Sequence, residues 1–218
     1  MQEPLRLRAY AKFRESLYEQ KLRPGQFVSQ RQLSEMFDMP MGAIREALKR
    51  LEADGLISLI AQRGVQIADI NVDFINEAFE FRILIEVEAA RRIAKSPDVA
   101  ALSELRKRTV QIIDSVEKDQ SDDLMSAGLK VDLELHEMLI TAYSNNLIRD
   151  CYRLLEDKIR LIRMNGLYTA ERLGKAMEEH LQIIDALSSG DEKLAVERLQ
   201  AHLMTSWRRS LGFPGEAS

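Results

Sequence analysis

The chain has 218 residues, 45% of them hydrophobic, a formal net charge of -4 and a single cysteine. That supplies apolar material for one large core or two small ones. It contains no apolar run near the roughly 18 residues needed to span a bilayer, and the opening MQEPLRLRAYAKF lacks the apolar core of a secretory signal. A cytoplasmic protein with no membrane partner is expected, and Cys151 has no cysteine partner for a disulfide or a zinc ribbon, so any metal must use other ligands. The charge is uneven. Residues 1–67 hold 11 Lys and Arg against 8 Asp and Glu (net +3), and the rest hold 20 against 27 (net -7). A basic head on an acidic body suggests that only the head meets a polyanion.

In the head, a helical stretch over about 5–20 ends at the turn Pro24-Gly25. Ser29 followed three residues later by Gln32 fits a capping box, and Leu33, Met36 and Phe37 give the apolar stripe of a two-turn helix. After Asp38-Met39, Pro40 suits the first turn of the next helix, where Ile44, Ala47, Leu48 and Leu51 recur at i, i+3, i+4 and i+7 before Gly55 ends it. Short helix, tight turn and longer helix make the helix-turn-helix plan. Residues 56–60 and 65–67 are rich in β-branched side chains, and Ala61-Gln62-Arg63-Gly64 between them reads as the tip of a hairpin, a wing. Arg45 and Lys49 share a face of the longer helix off its apolar stripe, which suits a major groove and its phosphates. Paired amphipathic helices with basic outer positions also occur in proteins that never meet DNA, and the hairpin is what favours DNA here.

From Asp69 onward the pattern is helical in six segments, at about 73–95, 97–118, 121–143, 145–167, 170–188 and 191–211. Ser96-Pro97, residues 119–122, Ser144-Asn145-Asn146, Gly166 and residues 188–191 separate them. With no strand candidates and short connections, an antiparallel bundle follows. All three histidines of the chain fall on or beside apolar stripes. His136 stacks one turn after Asp132 on a face shared with Leu139, Ile140 and Tyr143; His180 precedes Ile184 and Leu187; His202 follows Val196 and Leu199. Each histidine reads alone as a satisfied core residue or as a ligand. Together with one carboxylate they suit a divalent transition metal such as Zn, Ni, Mn or Fe.

The run LRPGQFVSQRQLSEMFDMPMGAIREALKRLEADGLI, followed by Gln62-Arg63-Gly64-Val65, resembles the winged helix-turn-helix of the GntR transcriptional regulators. That resemblance implies DNA contacts at Arg31, Arg45, Arg63 and Gly64, to which the helix face adds Lys49. The sequence departs from the pattern at Pro40-Met41, where the family commonly has Ser/Thr-Arg. Loss of that arginine removes a base-edge contact, so a different operator is expected.

The body resembles the FCD effector domain through Phe81-Arg82 with Glu86 and Ala89-Ala90, Asp132-x3-His136 with Ser144-Asn145, Glu179-His180 with Ile183, and Gly190-Asp191 followed by His202. The resemblance implies a metal held by Asp132, His136, His180 and His202, and six helices resemble the shorter, VanR-like subgroup. The expected fold is mostly α: a winged helix-turn-helix domain at 1–68, a linker at 69–72 and a helical FCD bundle at 73–218. The implied function is a bacterial transcriptional regulator, with repression the expected mode, that binds a palindromic double-stranded operator as a homodimer and senses a small organic acid beside the metal. Arg82 and Arg163 are candidate carboxylate clamps, and Tyr143 and Asn145 candidate pocket residues. For Arg82 a helix-surface ion pair with Glu86 is the competing reading. No catalytic residue is expected; a structural metal without an effector, or a metal-dependent hydrolase, are the alternatives.

Overall fold

A computed structural model describes residues 3–116, 118, 121–164 and 169–213. The elements run α1 (Leu5–Tyr18), β1 (Phe27–Val28), α2 (Gln30–Phe37), α3 (Met41–Ala53), β2 (Ile57–Ile60), β3 (Gly64–Ile67), α4 (Val72–Lys95), α5 (Val99–Val116), α6 (Asp122–Thr141), α7 (Asn146–Met164), α8 (Ala170–Ser189) and α9 (Glu192–Ser210). They form two compact units, one of residues 1–74 with 154–166 and one of residues 75–153 with 167–218.

In the first unit the expected capping box forms. Ser29 Oγ accepts from the Gln32 N–H, and Gln32 Oε1 accepts from the Ser29 N–H, which satisfies two donors that the start of α2 would otherwise leave open. Pro40 sits at the N-cap of α3, one position before the first turn. Leu33, Phe37, Ile44, Leu48 and Leu51 turn inward and pack with Phe13 of α1, whose ring meets Phe37 edge-on at 6.5 Å. The expected hairpin is β2–β3, and a third strand joins it: the sheet order is β1-β3-β2, all antiparallel, with Val28 opposite Val65. Two residues give no alternation to read, so β1 leaves no trace in the sequence pattern. Gly64 is required by this sheet, because its φ is +97° and a Cβ there would lie 2.9 Å from the Val28 carbonyl oxygen.

The second half of α7 also belongs to the first unit. Leu161 is buried in the core that α1, α2 and α3 form. Asp157, 2% exposed, accepts from Arg14 Nε at 2.9 Å and from the Tyr18 hydroxyl, and the Arg160 guanidinium lies 4.3 Å above the Tyr18 ring.

In the second unit α8 packs against α5, α6 and α9, and α5 also packs against α6. Gly128 lets α6 approach α8, since a Cβ there would meet the Leu173 side chain at 2.5 Å. On α4, Phe79 stacks on Trp207 of α9, and the Trp207 indole N–H donates to Asn76 Oδ1 at 2.9 Å. The six helices follow the expected order; the expected breaks at 119, 120 and Gly166 and the end of the 145–167 segment lie outside the described residues. No helix among them is long and apolar enough to cross a membrane.

Candidate metal centre and nucleic-acid interface

Three helices of the second unit bring the histidines together. α6 contributes Asp132 and His136, α8 contributes His180 and α9 contributes His202, each at most 3% exposed. One ring nitrogen from each histidine lies within 4.8 Å of the others. His180 Nε2 is 3.1 Å from His202 Nε2 and 3.6 Å from Asp132 Oδ1. His136 Nε2 is buried with no hydrogen-bond partner among the described residues, a condition that costs about 1–3 kcal/mol unless something fills it. A divalent ion bound by imidazole nitrogens meets that need, so the donor set fits a metal in number, chemistry and burial.

Carboxylates stand behind two of the rings. His136 Nδ1 lies 2.7 Å from Glu86 Oε2, and His202 Nδ1 lies 2.6 Å from Glu179 Oε2. Glu86 is fully buried, and its other oxygen accepts from Arg82 Nε at 2.7 Å and from the Tyr152 hydroxyl at 2.6 Å. Burial pushes the Glu86 carboxyl up, but Arg82, His136 and Tyr152 outweigh it and hold the group well below the usual carboxylate range. Burial and the nearby Arg82 push the His136 imidazole down to about 4, against the pull of Glu86 and Asp132, which keeps the ring neutral as a ligand must be. Glu179 also accepts from Arg209 at 3.3 Å.

The other expected site residues part company. Arg82 is 3% exposed, so its pairing with Glu86 is a buried one and not the surface pair that the i,i+4 spacing alone allows. Tyr143 is buried with its hydroxyl donating to the Ile85 carbonyl at 2.8 Å. Asn145 is exposed and its Oδ1 accepts from the Leu147 and Ile148 N–H groups at the start of α7. Arg163 lies in the 154–166 segment that packs within the first unit. Glu86, Tyr152, Glu179 and Arg209 surround the histidine cluster and were not among the expected site residues. For two of them a signal existed: Glu86 continues the buried Ile75, Phe79, Arg82 stripe of α4, and Tyr152 opens the Leu155, Ile159, Ile162 stripe of α7.

In the first unit, Arg45 and Lys49 are exposed on α3, Arg31 on α2, and Arg63 in the β2–β3 turn with its guanidinium 5.7 Å from the Phe27 ring centroid. Arg31 pairs with Glu35 at 2.9 Å and Lys49 with Glu46 at 2.8 Å. Exposed pairs of this kind contribute little to stability, so these side chains can turn to a phosphate at little cost.

A three-helix head with a wing, together with a helical body that holds a buried polar cluster, is the plan of a winged helix-turn-helix DNA-binding protein with a second, helical domain. The model for bacterial regulatory proteins of the gntR family matches residues 5–67, and the FCD domain model matches residues 77–205. The chain belongs to the GntR family, in the branch that carries an FCD domain. It is 22% identical over 199 residues to the uncharacterized HTH-type transcriptional regulator YdhC of Bacillus subtilis, covering 91% of this chain and 88% of that one. It is 24% identical over 204 residues to the HTH-type transcriptional repressor RspR of Escherichia coli, covering 92% and 86%. Among solved structures, a GntR transcriptional regulator from Rhodococcus sp. RHA1 shares the fold at a TM-score of 0.79 and 22% identity, over 95% of this chain and 97% of that one. The Zn2+-bound FCD domain of TM0439 matches at a TM-score of 0.52 and 26% identity, over 66% of this chain and 96% of that domain. These relatives are transcriptional regulators, not enzymes.

Proposed function

We propose that this regulator is a homodimeric repressor that reads a palindromic operator and whose FCD domain holds a divalent transition metal on Asp132, His136, His180 and His202, beside which a small organic acid binds. The observation that carries the reading is the convergence of three buried imidazoles and a carboxylate from three helices. The zinc in the FCD domain of TM0439 and the repressor name of RspR support it. A bound ion would supply an electrophilic anchor for an anion. Formal charge favours the same ligand class: Arg82 stands opposite Glu86 and Arg209 opposite Glu179, and a divalent ion adds two positive charges to the cluster. A carboxylate is then drawn more strongly to the loaded site than to the empty one. Arg82 is the candidate clamp among the cluster's own side chains; the Tyr143 hydroxyl and the Asn145 Oδ1 are engaged with backbone groups, and Arg163 lies in the segment assigned to the first unit.

On the DNA side, Arg31, Arg45, Lys49, Arg63 and Gly64 are the proposed contacts. Regulators of this plan place one recognition helix in each half-site, and an acid shifts operator occupancy only if it binds one arrangement of the dimer more tightly. Coupling of this kind is typically about 1–3 kcal/mol, or 5–150-fold in affinity. The test is operator binding, on duplexes selected from random sequence, with and without a panel of mono- and dicarboxylates. An acid that lowers affinity at least fivefold in wild type and has no effect in His136→Ala supports the reading. If His136→Ala responds normally, metal does not hold the effector; if no acid acts and metal binds stoichiometrically, the ion is structural.

A further inference from the structure

Two of the three imidazoles are already oriented. Glu86 lies 2.7 Å from Nδ1 of His136 and Glu179 lies 2.6 Å from Nδ1 of His202. A carboxylate can only accept, so each of these nitrogens carries the proton and donates it. In the neutral ring, the form that can ligate a metal, the other nitrogen, Nε2, is then a bare lone pair. In His136 that lone pair is the buried atom with no partner among the described residues, and in His202 it lies 3.1 Å from His180 Nε2. Since His202 Nε2 has only a lone pair to offer, His180 must be the donor in that contact.

We infer that Glu86 and Glu179 are positioning residues that lock His136 and His202 in the Nδ1–H tautomer, so that both present Nε2 to one ion, while His180 must move its proton to Nδ1 before its own Nε2 can bind. This rests on the metal-binding reading above. The two carboxylates are not equivalent. Glu86 is fully buried and anchored from its far side by Arg82 and Tyr152, so its oxygen cannot swing away from His136. The Glu179 side chain is 26% exposed and anchored by Arg209 at 3.3 Å. Ring-orienting partners behind a metal ligand typically change affinity by about 10–100-fold, and the better-anchored Glu86 belongs at the upper end.

The test has two readouts on the full-length protein. The first is the long-range nitrogen–proton NMR correlation of 15N-histidine-labelled, metal-free protein. It should show Nδ1–H at His136 and His202 and Nε2–H at His180, with His180 changing to Nδ1–H when Zn2+ is added. The second is Zn2+ affinity by competition with a chromophoric chelator. Glu179→Gln, whose site is partly exposed and tolerates the change, should weaken Zn2+ about tenfold and let the His202 ring populate both tautomers; Glu179→Asp should recover part of each. Glu86→Gln should weaken Zn2+ more, and Tyr152→Phe, which leaves the Arg82 pair intact, should do so less while still loosening the His136 tautomer. Unchanged tautomers together with unchanged Zn2+ affinity in Glu179→Gln and Tyr152→Phe would overturn the inference. If wild type shows the expected tautomers but binds no Zn2+, the metal-binding reading fails while the orienting role of the carboxylates stands.

Discussion

Gly64 shows how one residue serves the wing twice. Its left-handed backbone and its approach to the Val28 carbonyl leave no room for a side chain, so the wing tip and the β1–β3 pairing depend on the same missing Cβ. Gly64→Ala should cost about 1–3 kcal/mol in the first unit, read by chemical denaturation of the full chain. A cost under about 0.5 kcal/mol would mean the tip relaxes freely. Arg45 and Lys49 should differ in kind: Arg45→Ala should reduce operator affinity by about 1–3 kcal/mol and relax base preference. Lys49→Ala should weaken operator and scrambled duplex alike and lower the salt slope by about 0.9. Equal effects on both duplexes from Arg45→Ala would remove it from base reading.

Among elements, α2 and α7 make opposite demands on a reader of sequence. α2 was legible because its start is chemistry at fixed spacing, Ser29 with Gln32, and its packing is a clean stripe ending at Phe37. Ser29→Ala should remove the cap and cost about 1 kcal/mol of stability, seen as a lower melting temperature; no change would mean that water replaces the cap. α7 was legible as a helix but not as a shared one. Its stripe of Tyr152, Leu155, Ile159 and Ile162 states that a face is buried, and periodicity does not say against what. Only the fold assigns residues 154–166 to the first unit. Leu161→Ala should therefore destabilise the first unit by about 2–5 kcal/mol, which hydrogen exchange in α1 and α3 would report. The histidine cluster was legible in the same uneven way. Asp132, His136, His180 and His202 matched a known pattern, whereas the carboxylates that orient two of the rings are acids on helices rich in acids. Glu86 and Glu179 fell within that pattern, and Glu86 continues the buried stripe of α4, but only the packed helices show which ring each acid faces.

For the whole molecule, the charge of the cluster ties the two functions together. An anionic effector should act only on metal-loaded protein, so a chelator should abolish the response of operator binding to the acid while leaving acid-free binding within a few-fold of its normal strength. An acid response that survives chelation would place the effector elsewhere.

The most direct measurement is metal content and Zn2+ titration of the purified full-length protein, with wild type beside His180→Ala. The expected result is about one divalent ion per chain in wild type, and none retained in a variant that still folds. No binding by wild type after reconstitution would make the three histidines core residues and leave a GntR-family regulator whose signal does not act through a metal.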